Sequence, residues 1–152
     1  MKKITQKTVL LLLIMGSIYS RAQSSREVQS ALYKAQLQLK ENSKNYNPTE
    51  AIATYKLLAE KGNAQAMNGL GLIYSKGLSI PVNETEGIKW FMKSAESGYA
   101  KAWYNLALLY RDGIGEIKDP NKAIYCFEKA AKAGYSIAWQ KWAEVYKDGE
   151  GV

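Results

Sequence analysis

A period of 36 residues runs through the chain from about residue 50 onward and limits what it can fold into. Tyr74, Tyr110 and Tyr146 stand 36 apart, and so do Gly77, Gly113 and Gly149. Gly62, Gly98 and Gly134 keep the interval, as do Ala66, Ala102 and Ala138, then Ala59, Ala95 and Ala131, and Ile52, Ile88 and Ile124. Six registers at one spacing mean that a single supersecondary unit is stacked on copies of itself, because a unit of that size cannot bury its apolar face alone.

Within one period the spacing is that of helices. AIATYKLLAEKG (51–62) recurs as GIKWFMKSAESG (87–98) and AIYCFEKAAKAG (123–134). Tyr55, Phe91 and Phe127 lie three residues after the isoleucine and four before the alanine, so all three share one helical face. Asn47-Pro48 and Asp119-Pro120 supply an N-cap acceptor followed by proline at the first helical position, where its missing N–H costs nothing. Asn83 with Glu86 has the spacing of a capping box, and Gly62, Gly98 and Gly134 are placed to end the helices in the left-handed conformation. A second helix follows each of these glycines. In it Ala66, Ala102 and Ala138, then Leu70, Leu106 and Trp142, then the three tyrosines 74, 110 and 146 form an i, i+4, i+8 stripe, one buried face. Gly71, Ala107 and Ala143 keep that face thin enough for a neighbour to approach. The fold class expected is all-α, a solenoid of antiparallel helix pairs.

The run AxxxLxxLYRDGIG at 102–115, a polar linker, and KAIYCFEKAAKAG at 122–134 resemble the Sel1-like repeat, a subclass of tetratricopeptide-like helix pairs with a period near 36 and a glycine-rich linker. The resemblance covers about residues 48–152 and implies a right-handed superhelix of about three repeats, divided here as 48–82, 83–118 and 119–152. Two departures stand out: Ser79 occupies the place of Gly115 and Gly151, and Gly87 replaces the alanine found at 51 and 123. Both bear on local helix quality more than on the fold. Residues 26–43 read as a further helix through Val28, Leu32, Ala35 and Leu39, matching the repeat poorly. With the linker they make 23–47 an N-terminal cap.

The first 22 residues read differently. Lys2, Lys3 and Lys7 precede an apolar run from Val9 to Ile14, and Ser20-Arg21-Ala22 has the small-x-small form of a cleavage site. That order is expected of a secretory signal peptide cut after Ala22, and the apolar run is too short for a comfortable membrane span. The mature chain would then be periplasmic or secreted and hold no stable membrane span. No Cys lies near the cut to take a lipid. Lys2, Lys3, Lys7 and Arg21 are unopposed by acid there, so their removal takes the net charge from +7 to +3. What remains is scattered among acids as a solvated face, which argues against a nucleic-acid stripe. At the other end, Asp148-Gly149-Glu150-Gly151-Val152 stops inside a linker, leaving Trp139 and Trp142 uncovered. The expectation is a truncated array, with self-association through that end as the alternative.

The chemistry available is sparse. The chain has no histidine and one cysteine, Cys126. That removes the commonest general base and metal ligand, a thiolate–imidazole pair and a structural zinc site, so no catalytic residue, metal or cofactor is assigned. Cys126, beside Phe127, reads as a small hydrophobe. The glycines at 113, 115, 149 and 151 read as linker residues, lacking the strand and the Lys-Ser/Thr pair of a phosphate loop, and Asp112 and Asp148 suit a turn more than a calcium loop. Cysteine-rich secreted relatives have been described as β-lactamases, but this chain lacks their cysteine framework.

The resemblance implies instead a binding surface on the concave face, lined by the helices at 63–76, 99–112 and 135–148. Carried over by register, it selects Gln65, Asn68 and Leu72, then Lys101, Tyr104, Leu108 and Arg111, then Gln140, Glu144 and Lys147. Amide and cationic groups there suit a peptide backbone or carboxylate, and Tyr104 a rigid anchor. The function expected is an exported, non-catalytic adaptor for a protein or peptide. The alternatives are a peptidoglycan-associated binding module and, behind it, a β-lactamase-like hydrolase.

Overall fold

Asparagine or aspartate opens four of the helices, two of them with proline behind it, and a glycine of positive φ follows four helix ends. A computed structural model describes residues 6–112 and 118–147, without the side chains of residues 6–13, Tyr19, Ala22 and Tyr146. Its elements are α1 (Gln6–Gln38), α2 (Pro48–Glu60), α3 (Ala64–Lys76), α4 (Glu84–Glu96), α5 (Ala100–Asp112), α6 (Pro120–Lys132) and α7 (Ser136–Lys147). Among the described residues every regular element is a helix. Gly113, Gly115, Gly149, Gly151 and Asp148, read above as linker, lie outside them.

The expected caps form at 47, 83 and 119, and a further one at 63. The side chain of Asn47 accepts from Glu50 N–H at 3.2 Å, Asn63 from Ala66 at 2.8 Å, Asn83 from Glu86 at 3.0 Å and Asp119 from Lys122 at 3.0 Å. Each satisfies one donor that the first helical turn leaves without an intrahelical partner. Only half of the capping box at Asn83 is built. The Glu86 carboxylate pairs with Lys89, while the Asn83 N–H donates to the Tyr74 carbonyl at 2.8 Å, tying the linker back to α3. Gly62, Gly98 and Gly134 take φ of 83°, 87° and 90°.

Packing joins each helix chiefly to the next, most extensively α3 to α4 and α5 to α6. Tyr55, Phe91 and Phe127 are buried as the shared face required, and so are Ala66, Leu70, Ala102, Leu106 and Ala138. Gly71 is what lets α4 in: a Cβ there would meet the Phe91 ring at 2.4 Å. Gly87 plays the same part from the other side, since its Cβ would lie 2.9 Å from that of Ser75 and 3.0 Å from the Ser75 nitrogen. Its role is close approach, beyond the local helix quality expected of it. Ser94, fully buried on α4, donates its hydroxyl to the Ala64 carbonyl at 2.6 Å and locks the pair.

The N-terminal segment differs from expectation at its boundaries. The helix expected over 26–43 ends at Gln38, where Asn42, Ser43 and Asn45 favour local turns over helix continuation. The Asn47 N–H then closes onto the Gln38 carbonyl at 3.0 Å. Upstream, α1 runs without interruption through the expected cleavage point. Of its described side chains those at 14–27 are exposed, and packing begins at Val28. From there α1 occupies the place one period before α3, and Leu32 and Ala35 are buried against α2 and α3. No helix among the described residues is long and apolar enough to cross a membrane.

Candidate functional site

Because the helices alternate in direction and position, α1, α3 and α5 present one common face. Two hydrogen bonds cross it, each joining residues about one period apart. The Gln29 amide donates to Gln65 Oε1 at 3.4 Å between α1 and α3, and the Asn105 amide donates to Asn68 Oδ1 at 2.7 Å between α5 and α3. The second is a short, part-buried bond holding a buried asparagine, so the spacing of the helices is fixed by polar pairing as well as by apolar packing. Both acceptors are α3 oxygens; Asn68 is buried, whereas the half-buried Gln65 keeps its N–H2 group for a further partner.

Between the three helices lies a cavity of about 230 Å³. Its α3 wall is Gln65, Asn68, Gly69 and Leu72; α5 adds Lys101, and Tyr99 stands just before that helix; α1 adds Gln29, Leu32, Tyr33 and Gln36; Tyr55 of α2 completes the lining. A second cavity of about 260 Å³ continues from it, sharing Gln36, Tyr55, Gly69 and Leu72 and ending at Leu39, Leu78 and Lys40. Gly69 makes this depth possible, since a Cβ there would fall 2.4 Å from the Tyr55 ring. Burial raises the pKa of both Tyr55 and Tyr99, with Tyr135 adding to the effect at Tyr99. Their hydroxyls therefore stay protonated at neutral pH. Gln65 and Lys101 sit in the first turns of α3 and α5, whose partial positive ends favour an anion nearby.

Of the ten residues selected from sequence, Gln65, Asn68, Leu72 and Lys101 come together in this cavity. Tyr104 and Leu108 are half-buried and pack inward. The Tyr104 ring lies 5.7 Å from that of Phe127 and 5.1 Å from that of Tyr135, tying α5 to α6 and to the start of α7. Arg111 pairs with its neighbour Asp112 at 2.6 Å, and Glu144 pairs with Lys141. Gln140 and Lys147 are exposed on α7. None of these last four lines the cavity. Sequence reasoning missed Gln29, Tyr33, Gln36, Tyr99 and Asn105. The signal for the first and third was present: Gln29 and Gln36 stand 36 residues before Gln65 and Leu72, so the period extends one unit further toward the N-terminus than the conspicuous residues show.

Elsewhere, Cys126 is buried among Phe127, Ala123 and Leu109, and desolvation pushes its thiol up to about 12. Among the described residues no three His, Cys, Asp or Glu side chains cluster as a metal would require. Trp142 packs half-buried against the core while Trp139, 5.4 Å away ring to ring, is half exposed.

A face of equivalent helices carrying a recess, with no reactive constellation in it, defines the class: a helical-repeat scaffold. The Sel1 repeat model matches residues 64–99 and 100–135, which are the pairs α3–α4 and α5–α6. This unit begins one helix later than the division 48–82, 83–118 and 119–152, a difference of phase within the same period. A Sel1 repeat protein from Oxalobacter formigenes shares 30% identity over 86% of this chain and 97% of its own, with a TM-score of 0.62. A protective antigen present in uropathogenic Escherichia coli strains, displaying an SLR fold, aligns with 27% identity and a TM-score of 0.69 over 89% of this chain; the chain spans 29% of that protein's length. No curated protein sequence matches the chain. The chain belongs to the Sel1 repeat family, whose members are generally protein-interaction scaffolds.

Proposed function

We propose that this chain is an exported, non-catalytic adaptor that holds a segment of a partner protein on the face shared by α1, α3 and α5. The observation that carries this reading is the recess between those helices, in which Gln65, Asn68, Leu72 and Lys101 meet the α1 residues Gln29 and Gln36. Amides, phenol hydroxyls and leucines in one groove suit an extended backbone with alternating polar and apolar side chains. Export is supported by the charged, apolar and small-residue order of residues 1–22. It is supported also by the exposure of the α1 side chains before Val28, whose loss removes no described core contact. The non-catalytic reading rests on the absence of histidine and on a lone thiol held far from its reactive form.

A photo-crosslinking amino acid placed at Gln65 in the exported chain tests the face directly. Crosslinks to an envelope protein that vanish when Leu72 is changed to Lys are the expected result; crosslinks only from a control site on α6 would reject it. Purified sacculi are offered in parallel, because tyrosines and amides in one groove also suit a cell-wall fragment. Turnover of a chromogenic β-lactam by the chain would overturn the non-catalytic reading. The N-terminus of the protein recovered outside the cytoplasm should be Gln23.

A further inference from the structure

The groove has a chemical polarity that goes further than protein binding. Among the described residues no carboxylate lines either of its two connected cavities, while a lysine stands at each, Lys101 in one and Lys40 in the other. Both lysines are exposed, and among the described residues neither has an ion-pair partner, although Lys34, Lys89, Lys122, Lys132 and Lys141 all do. Between them, the half-buried Gln65 accepts from Gln29 through its oxygen and keeps its N–H2 group for a ligand, while Asn68 is buried and held by Asn105. The wall therefore carries positive charge and neutral amides, with Leu32, Leu39, Leu72 and Leu78 as apolar parts.

We propose, on the reading that this face binds a polypeptide, that its occupant is an extended segment in which Asp or Glu side chains flank apolar ones. The carboxylates are received by Lys101 and Lys40 and by the N–H2 group of Gln65. Charge-assisted hydrogen bonds to carboxylate are the strong ones available to such a wall. An acidic segment is the only charge type that meets no repulsion there, and the chain's net charge of +7, or +3 without its first 22 residues, has the complementary sign.

The test is selection of a displayed random dodecapeptide library on the purified full-length chain, followed by fluorescence titration of the best synthetic dodecapeptide. Acid-bearing peptides should emerge. Binding should fall about tenfold for Lys101→Gln, further for the pair Lys40→Glu and Lys101→Glu, and steeply as salt is raised. Replacing the peptide's Asp and Glu by Asn and Gln should give a similar loss. Both lysines are exposed, and far-UV circular dichroism of each variant confirms that the helices persist. Neutral or basic peptides whose binding is abolished by Leu72→Lys would overturn the acidic preference and leave the adaptor reading standing. Peptides indifferent to Leu72→Lys and to both lysine changes, or no selected peptide at all, would overturn the binding face itself.

Discussion

Ser79 sits with φ of 61°, in the left-handed region where the array's other linkers carry glycine in sequence. A side chain there costs about 1 kcal/mol relative to glycine. Its hydroxyl recovers part of this through a 2.9 Å hydrogen bond with the Tyr46 phenol, an exposed contact worth about 0.5 kcal/mol. Ser79→Gly should therefore stabilise the chain slightly, by about 0.5 kcal/mol, visible as a higher urea midpoint with an unchanged slope. Cys126 gives a prediction of a different kind. Its folded-state pKa is raised to about 12, so the thiolate is scarce in the native chain across the neutral range and appears only as pH approaches that value. At pH 8 a thiol reagent should leave the folded protein unlabelled and react fully once denaturant is added. Rapid native labelling at pH 8 would mean that the thiol is not buried as described. The identity of both residues was plain from the repeat, but Ser79's conformation was not, because a missing glycine in a periodic position tells nothing about whether the backbone has changed with it.

At the scale of helices the α3–α4 pair is held by closeness. Gly71 receives the Phe91 ring, and Gly87 faces the backbone of Ser75 and the carbonyl of Gly71 at 3.1 Å. Gly87→Ala gains about 1 kcal/mol of helix propensity but forces two backbones apart, at about 1–3 kcal/mol. A net loss of about 1 kcal/mol is expected by chemical denaturation. Yet Ala51 and Ala123, at the same register, are fully buried without such a conflict. The helices, their caps and their buried faces were legible because each rests on local rules: Asn, Asp and Pro at starts, Gly at ends, aromatics at fixed offsets. The groove was legible only in part. Gln65, Asn68, Leu72 and Lys101 follow from the register, whereas Asn105 was passed over because an asparagine between apolar positions gives no sign of its partner 37 residues away. Tyr104 was selected as an anchor for a ligand but packs on Phe127 and Tyr135, since aromatic rings near a helix pair find each other first.

For the whole molecule the apolar core is divided along the array. One cluster is centred on Leu70, Tyr55 and Leu32, a second on Phe91, Leu106 and Phe127, and a smaller one on Ala130 and Ala138. Stability in such an array is a sum of unit and neighbour terms, so protection should be graded. Amide hydrogen exchange should be slowest in α3 to α6 and faster in α7 and in α1 before Val28. Uniform protection from α1 through α7 would contradict that picture.

The dominance of packing between consecutive helices has one more consequence, which concerns how the chain reaches this state. Contacts that join helices adjacent in sequence close only short loops, and short loops lose little chain entropy before they are rewarded. A polypeptide emerging from a narrow exit, end first, can therefore settle one helix pair while the rest is still extended, and each settled pair becomes the template for the next.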